Sequence, residues 1–246
     1  MAAPGIAIGA GITIGGGINL GAPRSGSVQF DGVSVTTQYL SLPTSTAFSF
    51  ATGDFTIETW FNAAVYKRYG VIYSSTAVFA TANNITVQTD VNGSKIVIGS
   101  NGTVLFTSTG TFSANTWNHI ALVRSSTTAT VYLNGTSLGT FSNSTNITSD
   151  TPVIGSVNSG TFPISGYLSN FRMVKGVAVY TGAFTVPTAP LAATQSADTN
   201  ISAITGTQTS LLLNTVVGAG FLTDSSTNNF TVTNNGSVTS SATSPF

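Results

Sequence analysis

The stretch Trp117–Phe141, WNHIALVRSSTTATVYLNGTSLGTF, decides the fold, because it reads as three β-strands joined by two turns. Trp117–Arg124 is rich in apolar and β-branched residues, and Ala129–Leu133 alternates its apolar and polar side chains between two faces. The pair Asn134-Gly135 is the strongest short hairpin signal in the chain, since both residues accept a positive φ. Thr136–Phe141 is then the returning strand. Such a meander needs a second sheet to cover its apolar face, so the stretch predicts an all-β sandwich.

The residues before this stretch show the same pattern of short strands cut by sharp turns. Asn92-Gly93 and Asn101-Gly102 mark two more turns. Helical periodicity is weak throughout, and Val174–Tyr180 is the best candidate for a short helical turn. The sequence predicts strands at Ser27–Gly32, Val33–Leu42, Phe55–Ala63, Tyr69–Ser74, Asn84–Asp90, Lys95–Gly99 and Thr103–Ser108.

Composition excludes several classes of function. The chain has 246 residues, of which 6% are charged and 41% hydrophobic, and its formal net charge is zero. Seven scattered Lys and Arg residues form no basic stripe, so nucleic acid is not an expected partner. The absence of Cys excludes disulfides and thiolate metal sites. No apolar run reaches a transmembrane length, and the N-terminus lacks the basic region of a signal peptide, so we expect no membrane span and no leader.

Residues 5–22 contain a repeat with a period of six, G-I-x-[I/L]-G-x, in three copies. The two aliphatic residues of each copy share one face of an extended strand, and the even period keeps that face constant. One interpretation is an arm that covers its own domain or stays disordered. The other, which we favour, is an assembly arm that adds a strand to other subunits. Its contact residues would be Ile6, Ile8, Ile12, Ile14, Ile18 and Leu20.

The predicted organisation therefore has three parts. Residues 1–24 form the assembly arm and residues 25–190 the sandwich. Residues 191–246 form a loop and C-terminal strands that complete or extend the sandwich, by pairing either with their own domain or with a neighbour's.

Candidate catalytic residues are scarce. A glycosidase needs two carboxylates at a defined separation, but the chain has a single Glu, Glu58. Its single His, His119, shares a strand face with Trp117, Ala121 and Val123, which favours a packed, hydrogen-bonded side chain over a general base. One His without Cys also excludes a zinc site. We expect no enzyme and no catalytic residue.

Two kinds of binding site stay open. Asp31, Asp90 and Asp150 lie in or beside turns and are weak candidates for calcium ligands, since carboxylates and carbonyls suit that ion. Otherwise we expect no cofactor. Sugar binding needs aromatic rings with polar groups around them. The available tyrosines are Tyr66, Tyr69, Tyr73, Tyr167 and Tyr180.

Several motifs resemble the laminin-G-like, concanavalin-A-like jelly-roll modules. The pattern WNHIALVR, a polar turn and then VYLNG resembles a strand pair of that family, and Phe30-Asp31-Gly32 and DFTIETWF at 54–61 resemble its earlier strands. The runs ISGYLSNFR at 164–172 and FTVP at 184–187 resemble its closing strands. The resemblance covers roughly residues 26–190 and implies a two-sheet antiparallel jelly roll. Relatives bind calcium at the rim, and the glucanase branch has a carboxylate motif that this chain lacks.

The resemblance extends to a function. The C-terminal DSSTNNFTVTNNG at 224–236 resembles segments that join repeats in some phage and marine-microbial surface proteins. We therefore expect a virion structural or surface protein, either capsid decoration or a tail or fibre component, bound to itself and to other virion proteins through its arm. The jelly roll would project outward and touch host cell-surface glycans. The alternative is a free carbohydrate-binding or adhesion module of a secreted microbial protein at the extracellular surface.

Overall fold

The computed structural model describes residues 25–33, 38–63, 68–157, 161–215, 217–218 and 220–246. Two antiparallel sheets pack face to face in this part of the chain and enclose one large apolar core. This confirms the predicted two-sheet antiparallel sandwich. The predicted assembly arm lies outside the described residues, as does Tyr66.

The larger sheet has eight strands in the spatial order β10-β9-β8-β3-β12-β1-β15, and β13 also pairs with β12. Its strands are β1 (Ser27–Asp31), β3 (Phe55–Ala63), β8 (Asn118–Ser125), β9 (Thr128–Leu133), β10 (Thr136–Ser142), β12 (Ser165–Lys175), β13 (Thr209–Leu213) and β15 (Thr239–Ser241).

The smaller sheet has seven strands in the order β14-β2-β11-β4-β5-β6-β7. Its strands are β2 (Tyr39–Ser41), β4 (Val71–Ser74), β5 (Thr86–Thr89), β6 (Ile96–Ser100), β7 (Thr103–Thr107), β11 (Val153–Ile154) and β14 (Thr233–Asn235). A 3₁₀ turn at Thr46–Phe48 is the one helical element among the described residues. No helix in that part of the chain is therefore long and apolar enough to cross a bilayer.

The central meander forms as the sequence predicts. Leu133 pairs with Thr136 across a two-residue turn in which Asn134 has φ 50° and Gly135 has φ 79°. A side chain at Gly135 would also collide with the Phe184 carbonyl, which a Cβ would approach to 2.0 Å. Glycine is thus required here both by the turn and by the close approach of another segment.

Alternation along the strands separates a core face from an outer face. On β8, Ile120 and Leu122 belong to the core between the sheets, whereas Ala121 and Val123 belong to a second, smaller apolar cluster. We call the side of the eight-stranded sheet that is turned away from the core the outer face. Residues 176–208, here called the covering segment, lie over part of this face.

The predicted helical turn at Val174–Tyr180 is wrong. β12 continues to Lys175, because Val174 pairs with Thr56 on one side and with Thr209 on the other. Two ladder partners and complete burial outweigh the weak helical tendency of this segment. The chain then bends onto the outer face, where the Val179 N–H donates to Thr56 Oγ1 over 2.9 Å.

The two long sides of the sandwich differ. On one side the turn after β14 crosses from the smaller sheet to β15 of the larger sheet, and Val238 within it is buried. On the other side β7 and β10 end their sheets, and no described strand pairs with their outer edges. We call these the closed side and the open side.

Candidate functional site

A buried network surrounds the single glutamate on the outer face. Glu58 Oε1 accepts from Arg172 Nε at 2.8 Å, and Glu58 Oε2 accepts from the Tyr180 hydroxyl at 2.6 Å. His119 Nε2 lies 3.2 Å from the same Oε2. Arg172 also donates to the Ala192 carbonyl at 2.8 Å. We call Glu58, His119, Arg172 and Tyr180 the carboxylate network.

The contacts within the network fix the protonation states of Glu58 and Tyr180. Burial opposes ionisation of Glu58, but the Arg172 charge and the hydrogen bonds from His119 and Tyr180 outweigh it and hold its pKa at about 2. Burial and the Glu58 charge raise the pKa of Tyr180 well above its ordinary value, so its hydroxyl stays a donor. Both residues from the covering segment, Tyr180 and Ala192, therefore attach that segment to the sheet.

This geometry makes the network structural. Glu58, His119 and Arg172 have no exposed surface, and Tyr180 is 3% exposed. Tyr180 stacks on Phe184 with ring centroids 3.6 Å apart, which closes the network from above. A substrate has no path to the Glu58 carboxylate, and the packed, hydrogen-bonded state that the sequence predicts for His119 is what the structure contains.

A second set of residues on the same outer face remains accessible. In β12 Tyr167 lies directly opposite Gln29 of β1 on one side and Asn62 of β3 on the other. The register of β3 with β8 places Trp117 next to Asn62. Gln29 is exposed, and the other three are half-buried. We call Gln29, Tyr167, Asn62 and Trp117 the exposed row.

The exposed row alternates amides and aromatic rings across four strands. The Trp117 and Tyr167 rings are 6.4 Å apart and inclined by 47°, so they flank Asn62 on a shallow platform. Neighbouring strands lie ~4.8 Å apart, so the row extends over roughly 15 Å. That length suits several sugar rings of an extended ligand lying across the strands.

A deeper row lies one step further along the same strands. It contains Trp60, whose ring meets His119 edge-on at 5.1 Å, and Ser27. Trp60 Nε1 and Ser27 Oγ are buried without a hydrogen-bond partner among the described residues. The C-terminal Phe246 packs edge-on against Trp60 at 5.9 Å and is 38% exposed.

The row carries no charged side chain. The nearest charge along β1 is Asp31, which lies on the same face as Gln29 two residues further on. A neutral platform with a carboxylate at its end favours uncharged polar ligands over anions.

The other predicted tyrosines have different environments. Tyr73 is fully buried in the core, and Tyr180 belongs to the carboxylate network. Tyr69 packs edge-on against Phe162 at 5.6 Å beneath Arg68, and Phe162 in turn contacts Phe79 at 5.5 Å. These three rings pack on one another as a small satellite cluster over the seven-stranded sheet. Among the predicted tyrosines that the structure describes, only Tyr167 joins a row of amides.

The three candidate calcium ligands do not converge. Asp31 Oδ1 accepts from the Val33 N–H at 2.8 Å, and Asp90 Oδ1 accepts from Ser94 at 2.8 Å and Lys95 at 3.0 Å. Burial alone would raise the pKa of Asp90, but the backbone N–H donors lower it by more. The pKa of Asp90 therefore lies below its usual value. Asp90 follows β5 and Asp150 precedes β11 in the seven-stranded sheet, whereas Asp31 ends β1 in the eight-stranded sheet. The described residues contain no group of three or more His, Asp or Glu side chains suited to a metal, and the calcium site stays a prediction.

Sequence reasoning missed most of the exposed row. Trp117 opens the stretch that decides the fold, and Asn62 ends the strand that contains Glu58, yet neither was singled out as a binding residue. Residues 58, 60 and 62 share one face of the predicted strand. The polar Asn62, two positions after Trp60 on that face, was the available signal that the buried part of the face ends there.

Comparison with known proteins identifies the family. The model of the laminin-G-type concanavalin A-like lectin/glucanases superfamily matches residues 31–187, which is more than half of the chain. The chain belongs to this superfamily. The match confirms the resemblance drawn from the motifs, and it includes the carboxylate network and most of the exposed row. No curated protein sequence matches the chain.

Several solved structures are similar to this chain at low sequence identity. A Bacteroides ovatus protein to which carbohydrate binding has been assigned is 15% identical, with a TM-score of 0.57, and the match covers 93% of this chain and 67% of that one. Domain 4 of a Geobacillus stearothermophilus arabinanase, solved with arabinotriose, is 13% identical with a TM-score of 0.48, covering 61% and 70%. A Limulus polyphemus pentraxin is 20% identical with a TM-score of 0.46, covering 66% and 78%. At 15% identity the likeness to the Bacteroides ovatus protein concerns the fold alone.

Proposed function

We propose that this protein is a non-catalytic glycan-binding module whose ligand lies across the exposed row. The observation that carries the proposal is the alignment of Trp117, Asn62, Tyr167 and Gln29 on an accessible sheet face. Aromatic rings cover the apolar faces of sugar rings, and amides exchange hydrogen bonds with hydroxyls in both directions. The ligand would be a neutral oligosaccharide, since the row has no cation to pair with an acidic sugar.

The family supports this proposal, since it includes lectins, and so does the carbohydrate binding assigned to the Bacteroides ovatus protein of the same fold. The only Glu of the chain is sealed inside the network, which favours binding without hydrolysis. A module of this kind acts at an extracellular or particle surface, where glycans are met. The virion role stays a prediction, and the adhesion-module alternative has the better support.

The test is a screen of the full chain against an immobilised panel of neutral and sialylated oligosaccharides, followed by titration of the best binder. The chain has two tryptophans, Trp60 and Trp117. We expect binding to change tryptophan fluorescence and Trp117→Phe to remove most of that change. Trp117→Ala and Tyr167→Ala should each weaken binding at least about tenfold, equivalent to ~1.4 kcal/mol.

Tyr69→Ala is the matched control, because Tyr69 is a half-buried tyrosine outside the row. Its affinity should equal that of the unmodified chain. A loss of binding with Tyr69→Ala and none with Tyr167→Ala would move the site to the satellite cluster. Binding to no member of the panel, with the fold intact, would contradict the proposed function.

A further inference from the structure

The open side of the sandwich differs from an ordinary sheet edge in its chemistry. Natural edge strands usually carry Lys, Pro or other features that prevent pairing with another chain. Here neither β7 nor β10 has a charged residue or a proline, and residues 96–118 and 125–149 contain no Asp, Glu, Lys or Arg. Two features limit such pairing: each strand pairs irregularly with its inner neighbour, and the Phe106 ring of β7 lies against Gly139 of β10.

Apolar side chains are left incompletely covered along this side. Leu105 and Phe106 of β7 and Leu138 and Phe141 of β10 are half-buried against the core, and the Phe106 and Phe141 rings stack at 5.5 Å. On the other face of β7, Val104 is 59% exposed, the largest value among the exposed large hydrophobic residues of the described part. An additional strand beside β7 would cover the half-buried side chains Leu105, Phe106, Leu138 and Phe141. It would also pair with the backbone N–H and C=O groups on the outer edge of β7.

The chain itself contains a segment with the matching pattern. Each six-residue unit in residues 5–22 has two aliphatic residues two positions apart, which would face the half-buried group, and small residues on the opposite face. Its five-residue core G-I-x-[I/L]-G equals β7, Thr103–Thr107, in length.

Geometry separates the last unit from the open side of its own domain. The arm joins the sandwich at Ser25, whose hydroxyl lies 2.7 Å from Ser244 beside β1. Five strand spacings lie between β1 and β10, about 24 Å at ~4.8 Å each. From Leu20 to Ser25 an extended chain spans at most roughly 18 Å. The unit that contains Ile18 and Leu20 cannot reach its own open side.

We infer that the arm unit of one copy that contains Ile18 and Leu20 pairs with β7 on the open side of a second copy. Strand addition supplies backbone hydrogen bonds, and the aliphatic residues of the arm extend the core between the two sheets. Because the arm leaves from the closed side and docks on the open side, the contact is head-to-tail and builds rings or longer assemblies. This inference is independent of the glycan-binding proposal and uses different residues.

Full-length variants and light scattering test the inference. We expect the unmodified chain to have a mass that is a multiple of the monomer mass. Ile18→Lys/Leu20→Lys in the arm should reduce the mass of the assembly, and Val104→Lys/Thr107→Lys on β7 should abolish assembly. Val78→Lys/Val91→Lys is the matched control, since these valines are 55% and 46% exposed on the β4–β5 and β5–β6 loops, outside both edge strands. It should assemble normally.

A mixing experiment makes the outcome specific. The arm variant keeps an intact β7 and the β7 variant keeps an intact arm, so equal amounts of the two should form a mixed complex. Thermal unfolding of each variant at an unchanged midpoint shows that the fold is retained. A monomeric unmodified chain, an assembly unaffected by the β7 substitutions, or one lost equally in the control would each overturn the inference.

Discussion

Two parts of one sheet face behave in opposite ways in this protein. β3 places Glu58, Trp60 and Asn62 on the outer face in succession, within four residues. At Glu58 the covering segment closes over the sheet and every oxygen of the carboxylate has a donor. At Asn62 no described segment covers the sheet, and aromatic rings flank the amide. Burial along β3 therefore separates a structural end from a proposed binding end, and Glu58, the one charged residue of this strand, lies at the covered end with both oxygens hydrogen-bonded.

The largest effect is expected from Glu58→Ala, which breaks the covered end. It leaves the buried Arg172 guanidinium without its counter-charge, a change that typically costs about 3–5 kcal/mol. Denaturant unfolding measures it. Asp198→Ala is the control, because this exposed carboxylate bonds only to the adjacent Thr199 N–H and its loss should cost less than about 0.5 kcal/mol. Equal effects of the two substitutions would show that the network is not a structural centre.

Low pH should reduce the stability that the carboxylate network gives to the fold. The pKa of Glu58 is about 2 in the folded chain against an ordinary 4.5, so the unfolded chain binds the proton first. The stabilisation is present in full above pH ~4.5 and is lost as the pH falls towards ~2, on the order of 3 kcal/mol in total. The free energies of unfolding of the unmodified chain and of Glu58→Gln, measured across this pH range, should converge at low pH. If the two free energies of unfolding stay a constant amount apart across the range, the lowered pKa of Glu58 is refuted.

Tyr180→Phe should have an intermediate effect. It removes the 2.6 Å hydrogen bond to Glu58 but keeps the ring stacked on Phe184, so the cost is that of one hydrogen bond to a charged group, about 1.5–3 kcal/mol. Tyr167→Phe on the exposed row should change the free energy of unfolding by less than about 0.5 kcal/mol. A similar cost for both tyrosines would remove the distinction between the two ends.

The smallest effect on stability is expected from Asn62→Ala. This half-buried amide lies on the accessible end, so its loss should change the free energy of unfolding by no more than about 0.5 kcal/mol while weakening glycan binding several-fold. Calorimetric unfolding and the glycan titration together check it. A destabilisation above about 2 kcal/mol with unchanged affinity would assign Asn62 to the framework.

The sequence predicts the framework of this fold well, because local signals set it. The bounds of β3 agree with the prediction residue for residue, and the Asn134-Gly135 turn forms as expected. The network could not be read in the same way. Alternation from Leu168 would send Arg172 into the core, but Asn170 adopts φ 53° where the β12 register shifts, and this moves Arg172 to the outer face.

The exposed row depends on register over long separations. Tyr167 meets Asn62 and Gln29 only because β12 inserts between β3 and β1, which lie more than a hundred residues earlier in the chain. A one-residue slip in either pairing would turn Tyr167 towards a different neighbour. No local pattern in the sequence determines this strand register. The sequence therefore shows which aromatic residues exist but not which of them become neighbours.

The position of β1 between β12 and β15 has a consequence for biosynthesis. The first described strand pairs with Ser165–Leu168 and with Thr239–Ser241, so its neighbours are made long after it. During translation neither described partner of β1 exists for well over a hundred residues, and the closed side forms only after β15 has left the ribosome. Such high contact order slows folding and exposes an unpaired strand to other chains. We expect the nascent protein to depend on chaperones until residues 239–241 have been made.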